Sequence, residues 1–180
     1  MRIVSGIYKN RRVNFKKLNT RPTTDFAKES LFNVLENSYD LSELSVLDLF
    51  AGSGNISYEF TSRGCQTILA IENNIRCFNF IKKMKSQLNM LNLKVQLINV
   101  YKYLKKTKMN YDIIFADPPY NYTQSDYNQV IQIVFDRMLL TQSGTLIIEH
   151  SKLINFQKNS FFSKQKKYGK VNFTFLKYEK

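Results

Sequence analysis

Histidine and cysteine are nearly absent from this sequence, and each scarcity removes a class of chemistry. His150 is the single histidine, so no metal site can be assembled at ligand spacing and no resident metal is expected. Cys65 and Cys77 form neither a Cys-x-x-Cys pair nor a disulfide framework. Both read as core-filling residues. Long apolar runs are missing too: no stretch approaches a transmembrane length, and the basic N-terminus lacks the apolar segment of a signal peptide. A cytoplasmic protein that does not engage membranes is the expectation. Internal repeats and low-complexity linkers are also absent, which points to one folding unit. Acidic residues are scarce: 14 stand against 27 basic ones, a formal net charge of +13 with a sequence pI of about 9.7. A surplus of that size favours a polyanionic partner, because each neutralised phosphate releases condensed counterions. A genome rich in Lys codons would yield the same balance without any such partner, so the motifs must decide.

What is present suffices for a folded domain. The 180 residues are 43% hydrophobic, enough for a continuous core and one α/β domain with a small appendage. Residues 1–20 alternate apolar and basic positions around Gly6, which suggests a hairpin with a basic face. Residues 1–24 are therefore expected as a basic arm and 25–180 as the main domain. Thr24 or Asp25 caps a first helix, whose Ala27, Leu31, Val34 and Leu35 share one face. Strand-like runs then recur at Ser45–Phe50, Thr67–Glu72, Leu93–Ile98, Tyr111–Ala116 and Thr145–Glu149. Between them lie helical stretches: from Asn55 to a stop at Gly64, from Asn74 to Met90, around Tyr101–Lys105, and around Val130–Phe135. Two further β-like runs, at Phe161–Phe162 and Val171–Leu176, close the chain. Alternating strands and helices imply a parallel sheet covered on both faces, with ligands bound beyond the carboxyl ends of its strands.

The polar features sit at those strand ends. Asp48-Leu49-Phe50-Ala51-Gly52-Ser53-Gly54 follows a strand and opens a helix, and Gly52 and Gly54 let backbone approach a ligand closely. A dinucleotide fingerprint would continue with glycine at position 57, which is Ser57. Glu72 ends the second strand 18 residues after Gly54, near the offset at which a carboxylate meets ribose hydroxyls. It can accept bonds from both of them. Asn99, past the third strand, is placed for an adenine edge. Taken singly, Glu72 and Asn99 are equally well solvated strand ends; with the loop, they favour an adenosine-bearing cofactor. A nicotinamide dinucleotide wants three glycines and a helix N-terminus for its pyrophosphate. S-adenosylmethionine carries instead an amino group and a sulfonium, to which Asp48 offers negative charge. The expected cofactor contacts are Asp48, Phe50, Ala51, Gly52, Gly54, Glu72, Asn73, Asn99, Val100 and Asp117.

Asp117-Pro118-Pro119-Tyr120 is the most informative stretch. Consecutive prolines fix φ and remove two N–H donors, leaving a stiff turn that presents the Asp117 carboxylate and the Pro118 carbonyl as acceptors. An exocyclic amine on a base is a poor nucleophile because its lone pair is delocalised into the ring. Two acceptors gripping its hydrogens expose that lone pair, and the rest is positioning and electrostatics. Tyr120 offers a face for stacking a base taken out of its helix. Elsewhere in a chain such a tetrad would be a rigid turn with a packed aromatic; at a strand end beside a cofactor loop, Asp117, Pro118, Pro119 and Tyr120 form the expected catalytic set.

These motifs resemble the amino-methyltransferase group of class I S-adenosylmethionine enzymes. More narrowly, the chain is similar to the bacterial 16S rRNA guanine-N2 methyltransferase family, the RsmD type. The likeness runs nearly end to end: Met1–Gly6 with its basic continuation, Thr20–Asp25, Val46–Gly54, Ala116–Tyr120 and Ile147–His150. It implies a Rossmann-like α/β fold, a seven-stranded, mostly parallel sheet with the last strand antiparallel, and a target guanine in small-subunit ribosomal RNA, methylated at N2; a monomer is the separate expectation. Asn99 stands where many relatives carry Asp, and Ser57 where a small residue or glycine is common. Lys9, Arg11, Arg12 and Arg21, with Lys16 and Lys17, are expected to track RNA phosphates beside the tetrad, and Tyr120 to meet the base. The Lys-rich run 164–170 reads equally as solvated surface or RNA contact, and His150 as a loop-ordering residue. Three rivals remain: an adenine-N6 methyltransferase on DNA or RNA, since the same tetrad serves both amines, a non-catalytic RNA-binding protein on this fold, and a nicotinamide oxidoreductase.

Overall fold

The computed structural model describes residues 1–15, 18, 23–169 and 171–178. Thr24 caps the first helix, α1 (Asp25–Glu36), its side chain accepting from the Ala27 N–H. A short 3-10 turn at Leu41–Glu43, invisible in the sequence pattern, leads into β1 (Ser45–Asp48). The chain then alternates through α2 (Asn55–Ser62), β2 (Thr67–Glu72), α3 (Ile75–Gln87), β3 (Leu93–Leu97), α4 (Val100–Lys106), β4 (Tyr111–Ala116), α5 (Gln124–Asp136) and β5 (Leu140–His150), and ends in β6 (Phe162–Tyr168) and β7 (Val171–Leu176). Gly64, at φ 87°, takes the left-handed conformation that ends α2. The seven strands form one sheet in the order β3-β2-β1-β4-β5-β7-β6. β1 to β5 pair in parallel, and β7 runs antiparallel between β5 and β6. This is the seven-stranded, mostly parallel Rossmann-like sheet that the resemblance implied.

Two apolar layers hold the sheet. Ala27, Leu31 and Phe32 of α1, Phe60 of α2 and Ile81 of α3 pack on one face, and Leu104 of α4 with Val130, Ile131 and Val134 of α5 on the other. Helices thus cover both faces, as parallel strands require. Two strands run longer than their sequence pattern suggests. β5 begins at Leu140 because Leu140 pairs with Tyr111, followed by a register shift before Ile113 meets Thr145; the polar stretch Thr141–Gly144 hid that extension. β6 carries Ser163, Gln165, Lys166 and Lys167 exposed at the sheet's edge, so half-buried alternation is missing from it.

The N-terminal arm folds back with a single antiparallel bridge, Arg2 to Arg12, rather than a laddered hairpin. Ile3 and Val13 are each 2% exposed and join the α1 side of the core. The arm clamps α2: the Ile7 N–H donates to the Ser62 carbonyl, and a Cβ at Gly6 would lie 1.8 Å from that same oxygen. Beneath it lies a buried cluster of three charged groups. Glu59 accepts from Lys28 Nζ at 2.8 Å and from Arg63 Nη1 at 2.5 Å, and the Val4 N–H donates to it as well. Cys65 and Cys77 are free thiols buried in the interior. No helix among the described residues is long and apolar enough to cross a membrane.

Candidate active site

The carboxyl ends of β1, β2, β3 and β4 frame a cavity of 680 Å³, within the usual size of small-molecule sites. Its wall contains Asp48, Phe50, Ala51, Gly52, Glu72, Asn73, Asn99, Val100, Asp117, Pro118, Pro119 and Tyr120. Of the sequence-derived cofactor set, only Gly54 is not in the wall. Gly54 is instead the N-cap of α2 at φ 82°, and a Cβ there would lie 2.5 Å from Cζ of Tyr58. It serves the cavity by letting the loop lie flat on Tyr58.

Asp48 is 1% exposed. Its Oδ2 accepts from Ser57 Oγ at 2.6 Å, while its Oδ1 has no hydrogen-bond partner among the described residues. Burial pushes its carboxyl up to about 7, partly countered by the Ser57 bond and reinforced by the charge of Glu72. A buried acceptor without a donor is costly, and a ligand ammonium would both satisfy Oδ1 and draw the carboxyl back to its charged form. Ser57 is therefore the group that orients Asp48.

Glu72 stitches the opposite wall together. Its Oε2 accepts from the Gly52 N–H at 2.7 Å, and its Oε1 from the Asn73 and Asn74 N–H groups at 2.7 and 2.6 Å. Three of roughly four acceptor positions on a carboxylate are thus taken, which narrows the expected pair of ribose bonds to one. Asn99 caps α4, its Oδ1 accepting from the Tyr101 and Lys102 N–H groups. Its amide NH2 remains as a donor for a base edge. The wall thus suits a ligand with a cation at one end and an adenosine at the other.

The tetrad closes the cavity on the β4 side. Pro118 is buried while Pro119 and Tyr120 are exposed, and the Tyr120 ring, 81% exposed, stands at the rim. The Tyr122 N–H donates to the Pro119 carbonyl at 2.9 Å. The Tyr122 ring is itself wedged edge-on between Phe50 and Tyr127, at 5.5 and 5.9 Å. Burial holds Asp117 well above the usual carboxylate range, and the nearby carboxylates of Glu149 and Asp48 add to the rise. The sequence reading had passed over Glu149, Thr23 and Asn55 as site residues. Thr23 Oγ1 donates to Glu149 Oε2 at 2.7 Å, and Asn55 Nδ2 donates to the Thr23 carbonyl at 2.9 Å. Thr23 and Asn55 also line the cavity. No local signal marks these contacts, which span 126 and 32 residues.

The arm's cations lie elsewhere. The Tyr8 N–H donates to Ser62 Oγ at the last turn of α2, and the Tyr8 hydroxyl donates to the Asn89 carbonyl beyond the end of α3. Lys9, next to Tyr8, thus sits at the end of the sheet remote from the tetrad. The expectation that the arm as a whole flanks the tetrad is corrected, because its tip follows α2 away from the cavity. Arg11 and Arg12 are exposed on its returning limb. Lys16, Lys17 and Arg21 lie outside the described residues. His150 is buried, with Nδ1 at 2.8 Å from the Ser151 carbonyl and Nε2 at 2.8 Å from Thr174 Oγ1, a tie between β7 and the start of the loop after β5.

The model of the family described as Conserved hypothetical protein 95 matches residues 1–177. The chain belongs to this family. Its relatives include a protein named "Ribosomal RNA small subunit methyltransferase D" from Buchnera aphidicola subsp. Baizongia pistaciae, 34% identical over 97% of this chain and 90% of the relative. A protein of the same name from Haemophilus influenzae is 29% identical over 84% of this chain and 79% of its own length. Among solved structures, one titled "Putative methyltransferase yhhF from Escherichia coli" superposes with a TM-score of 0.84 at 25% identity, covering 99% of both chains. Fold and family therefore agree with the resemblance read from the motifs.

Proposed function

We propose that this chain transfers the methyl group of S-adenosylmethionine to the exocyclic N2 amine of a guanine in small-subunit ribosomal RNA. The observation that carries the reading is the meeting, in one cavity, of the unpartnered Oδ1 of Asp48 and the Asp117–Pro118 acceptor pair. The names of the relatives support RNA as the substrate. The cofactor supplies an electrophilic methyl group when bound. Asp48 would hold its amino end, Glu72 a ribose hydroxyl, and Asn99 with the Val100 backbone its adenine edge, while Phe50, Ala51, Gly52 and Asn73 complete the wall.

The chain's own work is then on the amine. The Asp117 carboxylate and the Pro118 carbonyl accept from its two hydrogens, so the nitrogen lone pair is drawn out of conjugation and aimed into the cavity. Pro119 stiffens the turn, and Tyr120 stacks on the guanine after it leaves its helix. The amine would give up one proton in exchange for the methyl group released from the cofactor's sulfur, and Asp117 is suited to take that proton because its surroundings raise its proton affinity.

Mass spectrometry of nucleosides from small-subunit ribosomal RNA, incubated with the protein and labelled cofactor, tests the proposal. N2-methylguanosine is expected; N6-methyladenosine, or no transfer at all, would refute it. Asp117→Ala should lower kcat by roughly 10²–10³-fold while the protein remains folded by circular dichroism.

A further inference from the structure

The sheet order assigns the cavity's two halves to different partners. β2 and β3, carrying Glu72 and leading to Asn99, lie on one side of β1, and β4, β5, β7 and β6 lie on the other. With the cofactor on the β1–β3 half, the β4–β6 half is left for the base to approach Asp117. What that half exposes is basic and aromatic. β6 carries Lys164, Lys166 and Lys167, and neither β6 nor β7 contains a carboxylate. β7 starts at the cavity end, where Asn172 pairs with His150, and Tyr168 of β6 pairs there with Val171. The C-terminal half of β6 is thereby brought level with the tetrad, three strands away at roughly 5 Å per strand. Lys152, exposed just past β5, is at the same end. Phe26, in the first turn of α1 and 66% exposed, packs edge-on against Tyr168 at 6.3 Å.

We infer that the RNA docks along this edge of the sheet: Lys166 on the side of Tyr168, Lys167 on the opposite side of the strand and Lys152 hold backbone phosphates, and the Phe26–Tyr168 pair stacks a base flanking the target, while Tyr120 receives the target itself. The inference rests on the methyltransferase reading and relocates the substrate surface from the arm to the far edge of the sheet. Lys166 and Lys167, with no carboxylate on their own hairpin, suit a phosphate chain, and Lys152 extends the row. Exposed aromatic rings suit unstacked bases, which present a π-face whatever their sequence. An edge strand with Lys in its exposed positions also resists pairing with other strands, which keeps this surface open for RNA.

The experiment compares three full-length proteins for methyl transfer to small-subunit ribosomal RNA and for RNA binding across a salt series: the wild type, the double variant Lys166→Glu/Lys167→Glu, and Phe26→Ala. The double variant should raise KM for RNA at least tenfold, flatten the slope of log K against log salt by about two, and leave cofactor affinity and melting temperature unchanged. Phe26→Ala should raise KM severalfold with the salt slope of the wild type. A wild-type KM and salt slope in the double variant would overturn the docking surface. So would a tenfold loss confined to Lys9→Glu/Arg11→Glu, or binding of the β6 face to anionic lipid vesicles in preference to RNA. If the wild type transfers no methyl group to RNA yet binds it with the same β6 dependence, the catalytic reading fails and the surface stands.

Discussion

Inside the folded chain the Asp48 carboxyl titrates at about 7 against an ordinary 3.8, so its proton is linked to both folding and binding. The folded pKa is the raised one: between about pH 4 and 7 the native state holds a proton that the unfolded chain has released. Stability must therefore fall as pH rises through that window, and the cost is complete above it. About three pKa units correspond to a few kcal/mol, on the order of 4 at about 1.4 kcal/mol per unit. Asp48→Asn should accordingly raise the melting temperature at pH 8 and change it little at pH 4. The same substitution removes the charge offered to a cofactor ammonium, a bond worth about 1.5–3 kcal/mol, so calorimetry should show cofactor affinity reduced roughly ten- to hundredfold. In the wild type, affinity should weaken below pH 7, because Asp48 must lose its proton to pair with the ammonium. Equal affinity at pH 5.5 and 8 would contradict that role.

Helix α2 shows how one element serves both stability and site. Its first residues carry Ser57 toward Asp48, and its middle carries Glu59, buried against Lys28 and Arg63. Removing one member of such a group strands the other charges, so Glu59→Ala should cost about 3–5 kcal/mol in a urea melt. Lys28→Met combined with Glu59→Leu should recover part of that loss, since the apolar replacements remove two of the three buried charges and leave Arg63 to Glu36. At the head of the helix, Gly54→Ala forces both a left-handed φ and a clash with the Tyr58 ring. It should weaken cofactor binding and lower stability by about 1–3 kcal/mol, read from calorimetry and melting together. These couplings were not visible along the chain. Glu59 lies in a polar-looking stretch, Asn-Ile-Ser-Tyr-Glu-Phe-Thr-Ser, in which every residue is buried, because the arm covers the face that would otherwise meet water.

For the molecule as a whole, the arm contributes Ile3 and Val13 to the core and the Val4 N–H to Glu59. Burying an Ile or Val side chain is worth about 1.5–3 kcal/mol, against a total stability of about 5–15 kcal/mol for a typical domain. Deleting residues 1–13 should therefore lower the melting temperature by ten degrees or more, a loss that an independently appended arm would not produce.

The alternation of strands and helices, the glycine loop, the Glu72 offset and the Asp117–Tyr120 turn were all legible in the chain. Each is a local pattern: side-chain periodicity, backbone freedom at glycine, or φ fixed by proline. The sequence by itself thus determined the fold class, the strand ends around the cavity, and many but not all of the residues in its wall. Only the tertiary structure decided that Ser57 orients Asp48, that Glu72 spends most of its acceptor capacity on the loop, and that Thr23 and Glu149 meet beside Asp117. Hydrogen-bond partners separated by as many as 126 residues, and the placing of β7 between β5 and β6, follow from closing one core over the whole chain, which no window of sequence contains.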